Sequence, residues 1–476
     1  MPFEGVPFPV SLKEEDIFIR DVPNDDLELQ LVWMDAIRRY GTELTSRKLT
    51  DSWLNKIQHG CDEYSIAIHN MKHGILPPAS GWHNNFFADG MGAVIRSEIW
   101  ALLFAGRPDA AGYFACQDAQ ADHWGNGVWG EIFMAEAEAY ACVHSNIEEA
   151  LCFALGRLDH HSRLYQTISK VYQRYVCGME EERARELLMR QEQRISNFTD
   201  CVMNLSFIVH SLLYGGGDFL KTILTAISFG RDTDCTGASC GAFLGIALGK
   251  KAIPEKWASK VKNELALSDY VARIPGVPLT MDDLVKQTAQ LKQSLAVELP
   301  EREYPGYIPY EPKEAVPEID RSQWLILDED HYNIHEIEAE IRKTGKCPAA
   351  LRGEVHTFSS LFLDLSSCAG EYNTLHLFSF LERKRGATEE TVISVTADVG
   401  MTLYIDGMRL LNHHSRQKML PSFHRAEGGA SFLLPIENER SYFVHWVLYN
   451  CAPPLKACIM FGNLSNDHLD GFEFRI

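Results

Sequence analysis

The chain has 476 residues, too many for one ordinary domain, and 46% of them are apolar, enough to fill two or three cores. Its 45 basic and 65 acidic residues give a net charge of −20, which excludes nucleic-acid binding driven by phosphate contacts. The same charge leaves room for a phosphate-bearing nucleotide, provided bound metal neutralises the site.

Twelve cysteines occur and none has CxxC spacing, so neither a zinc ribbon nor a redox dithiol is expected. No apolar run reaches 18 residues and no signal peptide opens the chain. A cytoplasmic protein without nucleic-acid or membrane partners is the expectation.

In chain order, the first chemical signal is Asn24-Asp25-Asp26, ahead of Leu27, Leu31, Met34 and Ile37. That spacing predicts a helix ending at Gly41, with Asn24 as its N-cap and two carboxylates in its first turn. Plain capping and a divalent-cation site are both open readings of the pair. Helical periodicity continues over 44–58, 90–105, 108–120, 130–143, 146–155, 162–176, 180–194, 200–213, 216–228, 234–249 and 281–295.

Within it, Asp89, Gly90, Gly92 and Arg96 form a candidate ligand-binding stretch. The glycines would admit a close backbone approach, and Arg96 would grip phosphate or make a structural ion pair with Glu98 or Asp89. His123 would position a water or a ribose hydroxyl, and Trp124 would stack on adenine; a core histidine and plain aromatic packing are the simpler alternatives. Glu131 reads as a buried carboxylate near a helix start. His160-His161 and His413-His414 diverge at i,i+1 spacing and get no metal role.

The densest signal is Gly230-Arg231-Asp232-Thr233-Asp234-Cys235-Thr236, followed by Gly237, Gly241, Gly245 and Gly249. Four glycines on one helix face cost about 3–4 kcal/mol of propensity relative to alanine. The expectation is therefore a helix against which another backbone packs very closely, with two Asp at its N-terminus. Two such Asp-bearing helices could converge on a two-ion site.

From residue 299 to 320 five prolines and many charges predict a linker or surface strap. Beyond a short helix at 334–343, strands are predicted over 358–365, 375–380, 392–395, 401–405, 431–435, 442–449 and 457–461, with Asp406-Gly407 as a hairpin turn. Seven or more short strands suggest a β-sandwich. The predicted fold class is thus a multidomain chain: an all-α domain over 1–298, a Pro-rich linker over 299–320, and an all-β sandwich domain over 321–476.

The two acidic motifs resemble those of the ADP-ribosylglycohydrolases, of the dinitrogenase reductase-activating glycohydrolase type. In that family Thr-Asp-Asp-Thr is the first metal motif, and Asn24-Asp25-Asp26-Leu27 is similar to it. The second, Gly-Asp-Thr-Asp with a small-residue helix ending in Ile-Pro and Trp, resembles Asp232 through Gly249 with Ile253-Pro254 and Trp257. Asn24, Leu27 and Cys235 stand where the family has Thr, and a neutral thiol is a poor Mg²⁺ ligand. Met1-Pro2-Phe3-Glu4-Gly5 resembles the end of the family's first conserved segment without the helix that precedes it; the expectation is either a start at an internal Met or a member that has lost that helix.

The resemblance implies an all-helical enzyme with two Mg²⁺ ions, or Mn²⁺, that bind ribose hydroxyls and orient an attacking water. It implies Asn24, Asp25, Asp26, Asp232, Asp234 and Cys235 as metal ligands, with Thr233 assisting. It implies Glu4, Asp25, Asp26 and Asp234 as catalytic carboxylates, and Asp89, Gly90, Gly92, Arg96, His123 and Trp124 as substrate contacts. The expected activity is hydrolysis of a glycosidic bond to ribose in a small-molecule or protein-linked ADP-ribosyl substrate, with a glycan as an expected partner of the β domain. A catalytically silent nucleotide- or glycan-binding relative, and another glycosidase or nucleosidase on the same scaffold, are the rival readings.

Overall fold

The computed structural model describes residues 12–17, 22–58, 60, 62–193, 195, 197–295, 316–317, 319, 321–370, 373–384, 390–414, 419–423 and 429–476. Glu4 and nearly all of the Pro-rich segment lie outside the described residues. The chain divides into two compact units, residues 1–59 with 70–315 and residues 60–69 with 316–476. The excursion of 60–69 into the second unit has no counterpart in the predicted domains; it overlaps a helix, Asp62–Lys72, that the sequence reading did not contain.

The first unit is helical throughout. Its axis is the helix Asn126–His144, in which Val128, Ile132, Phe133 and Met134 are buried along with Glu131, Glu136 and Glu138. A helix apolar on all sides is one surrounded by others. It packs in one core with residues of Cys201–Gly215 and Thr233–Leu248.

The predicted helix over 90–105 shrinks to Glu98–Leu103, preceded by a 3₁₀ turn at Val94–Arg96. Gly90 instead pairs with Asp200 in an isolated antiparallel bridge. The first helix runs Asp25–Tyr40 and ends at Gly41, as the spacing predicts.

The glycine-rich helix departs from expectation. The nearest neighbours a side chain at Gly241 would meet are side-chain carbons of Ile223 at 3.6 Å and Phe219 at 3.9 Å, and one at Gly245 would meet nothing within 4 Å. Thr236, Cys240, Phe243, Leu244 and Ala247 take the core-facing positions, so no backbone presses on the glycine stripe at Gly241 or Gly245. Gly249 is the C-cap, with φ of 74°.

The second unit holds two sheets. Its strands are β1 (Ser322–Asp328), β2 (Val355–Phe358), β3 (Phe362–Asp364), β4 (Asn373–Arg383), β5 (Glu390–Ala397), β6 (Gly400–Ile405), β7 (Met408–His413), β8 (Gly429–Pro435), β9 (Ser441–Cys451), β10 (Lys456–Gly462) and β11 (Phe472–Arg475). One sheet runs β2-β1-β11-β4-β9-β6-β7 and the other β3-β10-β5-β8. Alternate residues of both sheets, among them Leu375, Leu377, Ile393, Val395, Trp446, Ile459 and Phe461, share one core, which makes the arrangement a sandwich.

The helix Ile334–Thr344 covers the opposite face of the larger sheet, through Ile334 and Ile341 against Leu325, Leu327 and Phe378. The predicted strand 358–365 is two strands, β2 and β3, that belong to different sheets. Asp406 and Gly407 join β6 to β7 with φ of 50° and 83°, the positive pair a tight hairpin needs. Among the described residues no helix is long and apolar enough to cross a membrane.

Candidate metal centre

Asn24 caps the first helix in the usual way: its backbone is extended and its Oδ1 accepts from the Leu27 N–H at 3.1 Å. Capping is therefore done by Asn24, with Asp25 and Asp26 in the first turn. Burial, then Asp25, Asp234, Glu98 and Asp232 in turn, push the Asp26 carboxyl well above the usual carboxylate range. Those neighbours come from both predicted Asp pairs, so the two helix starts lie near enough for their carboxylates to act on one another.

The second helix start is built differently. Gly230 and Arg231 both have positive φ, 74° and 67°, and for Arg231 that conformation is strained. The turn delivers Asp232 to the N-cap position 2% exposed, yet its side chain makes no capping hydrogen bond. A ligand atom of each of Asp232, Asp234 and Cys235 lies within 4.8 Å of the others. Thr233 between them is fully buried, and its Oγ1 has no hydrogen-bond partner among the described residues. Asp234 is exposed and gives the cluster its face to solvent.

Burial, then Asp232, Asp234, Asp26 and Asp25, push the Cys235 thiol well above its ordinary value. It therefore remains a neutral SH beside four carboxylates, a weak partner for a hard cation. The remaining donors are carboxylate and hydroxyl oxygens, which suit Mg²⁺ or Mn²⁺ far better than zinc. A cluster of like charges of which one is deeply buried is costly until a cation neutralises it, so the residues present fit a divalent-metal site.

Two residues missed as site members border it. Glu98 opens the Glu98–Leu103 helix, and burial raises its carboxyl to about 7. Gln30 donates to Glu98 Oε2 at 3.0 Å. A helix-start Glu looks like a cap in sequence, and nothing local to it points back 68 residues to Gln30.

The expected substrate contacts mostly serve the fold instead. Arg96 is fully buried, and its five N–H groups are spent within the protein. Nε donates to Asp118 at 3.1 Å, Nη1 to the Gly92 carbonyl at 2.8 Å and to Asp122 at 2.9 Å, and Nη2 to Asp122 at 2.6 Å and Asp118 at 2.9 Å. Trp33 and Trp53 lie 5.7 and 5.4 Å from the guanidinium. No donor is left for a phosphate, and the structural partners are Asp118 and Asp122 rather than Glu98 or Asp89.

His123 is likewise fully buried. Its Nε2 accepts from the Ala93 N–H at 3.3 Å, which leaves the proton on Nδ1, 3.0 Å from Asp122 Oδ1. These contacts give His123 a structural role. Burial, then Asp118, raises the Glu131 carboxyl well above the usual range.

Gly90 and Gly92 are buried, Gly90 in the Asp200 bridge and Gly92 accepting from Arg96 through its carbonyl. Asp89 accepts from the Asn126 N–H at 2.9 Å, at the start of the central helix, and its carbonyl accepts from the Cys201 N–H at 2.7 Å. Trp124 is half-buried at the edge of the helical core, with one face toward it.

The ADP-ribosylglycohydrolase family profile matches residues 4–293, more than half of the chain. An uncharacterized protein of Archaeoglobus fulgidus is 25% identical over 241 residues, 50% of this chain and 70% of that one. Among solved structures, an ADP-ribosylglycohydrolase-related protein complex is similar with a TM-score of 0.41 and 16% identity over 62% of this chain and 91% of that one. The PA14 domain of an antifreeze protein is similar with a TM-score of 0.19 and 11% identity, over 35% of this chain and 96% of that one.

Proposed function

Because the chain belongs to the ADP-ribosylglycohydrolase family, we propose that it is a metal-dependent hydrolase of a glycosidic bond to ribose, acting on a small-molecule or protein-linked ADP-ribosyl group. What supports this reading is that acids of both helix starts, Asp25, Asp234 and Asp232, raise Asp26 after burial, and that Asp232, Asp234 and Cys235 each have a ligand atom within 4.8 Å of the others. Two Mg²⁺ or Mn²⁺ ions held by these four carboxylates would supply Lewis acidity toward ribose hydroxyls and a more acidic bound water.

The chain's own residues do the rest. Asn24 holds the Asp25–Asp26 turn by capping it. Thr233 offers a buried hydroxyl oxygen whose proton has no other taker among the described residues. As the aglycone leaves, positive charge develops at the anomeric carbon, and the surrounding carboxylates stabilise it electrostatically. Asp234, the exposed member, is the carboxylate open to substrate, and it accepts the proton of the attacking water. The strand-rich region from 321, joined through 299–320 to the helical region 1–298, would act as an accessory module selecting a protein- or glycan-linked substrate. The apolar helical context of the cysteines supports a cytoplasmic setting.

Release of ADP-ribose from ADP-ribosylated protein and from small ADP-ribosyl compounds, with Mg²⁺ or with chelator, tests the reading. A second reading, a silent nucleotide-binding relative, draws on the neutral Cys235 thiol beside the Asp pair. Heat of ADP-ribose binding to metal-loaded protein without any release would select it. Neither heat nor release would end both.

A further inference from the structure

One side-chain amide joins the Asp25–Asp26 turn to the rest of the helical core. Gln30 Nε2 donates at 3.0 Å to the carbonyl of Asp26, one turn back along the same helix. The same nitrogen donates at 3.0 Å to Glu98 Oε2. An amide nitrogen carries two hydrogens, and both are used here. Glu98 in turn opens its own helix, and the preceding Ser97 makes no cap to that helix. Its hydroxyl donates instead to Glu138 Oε2 on the central helix, at 3.1 Å. Two successive residues, Ser97 and Glu98, thus fasten the first turn of the first helix to the axis of the unit.

We propose that Gln30 and Glu98 are positioning residues for the metal centre, the Gln30 amide holding the Asp26 backbone against Glu98 so that Asp25 and Asp26 meet Asp232 and Asp234. This rests on the reading of those four Asp as metal ligands. A neutral donor suits the place. A lysine there would satisfy the same two oxygens but cancel the negative charge a cation needs, whereas an amide bridges them and leaves the charge intact. Helix ends fray, and a ligand pair in a first turn needs an anchor beyond its own helix to hold a metal geometry within a fraction of an ångström. Partners of this kind, one layer behind the ligands, change metal affinity by about 10–100-fold when removed.

The test is a calorimetric titration of the full chain with Mn²⁺ alone, beside melting of the metal-free protein. Gln30→Met keeps the length of the side chain and removes both donors. It should weaken Mn²⁺ binding by about 10–100-fold and leave the metal-free midpoint within about 2 °C. Glu98→Ala should weaken binding too, and the double variant should lose less than the product of the two single losses, because Gln30 acts through Glu98. Unchanged affinity in Gln30→Met, losses that multiply, or a metal-free midpoint lowered by more than about 5 °C would each overturn the proposal. Gln30→Ser, which also removes both donors, is read the same way. A wild-type chain that takes up no Mn²⁺ removes the metal reading itself, an outcome distinct from a wild type that binds and a variant that binds equally.

Discussion

The two units differ in how some of their acids are answered. In the helical unit acids gather: Asp26, Glu98, Glu131 and Glu138 all have carboxyls raised chiefly by burial, and other acids add to the shift at Asp26, Glu131 and Glu138. In the sandwich acids are answered. Glu338 is held at about 2, first by its hydrogen bond from His445, and Asp328 is held below its usual range by Asn373 and its loop despite partial burial. A fold that only has to persist pairs its charges, because an uncompensated buried carboxylate is costly. Uncompensated acids gathered at two helix starts, one of them entered through a strained turn, point instead to a ligand that completes them.

Removing one acid from the cluster should have the largest effect. Asp234→Asn should abolish hydrolysis by at least about 10²–10³-fold. It should also abolish the rise in melting temperature with free metal, a rise worth about 4 kcal/mol at a thousandfold excess over Kd. The metal-free variant should stay folded or gain slightly, because one repulsive charge is gone. If Asp234→Asn instead weakens the metal-free protein by more than about 2 kcal/mol, the residue is a helix cap and the contrast between the units fails.

Arg96 is a buried charge of the helical unit that is fully answered. Arg96→Met strands Asp118 and Asp122 in the core and should cost about 3–5 kcal/mol in urea unfolding. Unchanged stability with a raised KM for an ADP-ribosyl substrate would instead return Arg96 to the phosphate role its sequence context suggested.

Arg96 also marks where sequence stops being legible. The Asp pairs could be found because each sits at a local helix start, with Leu27-Leu31-Met34 or a small-residue run behind it. That Asp232 leaves its cap unmade depends on φ at Gly230 and Arg231, which no spacing records. Arg96 and His123 look like ligand groups until Asp118 and Asp122 are brought beside them. In the sandwich, alternation located most core strands, and Asp406-Gly407 fixed one hairpin. β1 escaped because Trp324-Leu325-Ile326-Leu327 is buried on both faces, against the inter-sheet core and against the helix Ile334–Thr344, so it does not alternate. The glycine stripe misled because glycine spacing resembles close packing even where the neighbouring space is open.

The pH responses of the two units should have opposite signs. Glu98 is raised from 4.5 to about 7, and Glu131 and Glu138 are raised well above 4.5. Raised acids bind more protons folded than unfolded, so their contribution is complete below about 4.5 and is lost as pH rises through about 7. The metal-free helical unit should therefore gain on the order of 1–3 kcal/mol between pH 7 and pH 5. Metal should reverse the trend, since its ligands must be deprotonated. Hydrogen exchange of the full chain, corrected for intrinsic rates and read on helical-unit peptides, measures both. A metal-free helical unit that loosens on acidification would mean that these acids are already neutralised by something else.

The smallest effect is expected in the sandwich, where four groups stand in a line. His376 Nε2 faces Glu329 at 3.3 Å, His376 Nδ1 faces His445 Nε2 at 2.9 Å, and His445 Nδ1 faces Glu338 at 3.4 Å. With a carboxylate at each end, both outer nitrogens donate, and the inner contact needs one donor and one acceptor. Burial first, then His445, lowers His376, which favours its neutral form. A lowered folded value means that this contribution is present above about 6.5 and is lost as pH falls through the folded pKa of His376, while the share from Glu338 is lost between 4.5 and about 2. Sandwich peptides should thus exchange slightly faster at pH 5 than at pH 7, by less than about 1 kcal/mol in opening free energy, because Glu329 and Glu338 remain partly in water. His376→Gln keeps an acceptor for His445 but cannot take up a proton. It should flatten the slope below pH 6.5 and leave the lower one in place. A slope unchanged in that variant would assign the pH response to a group outside the line and remove the sandwich half of the contrast.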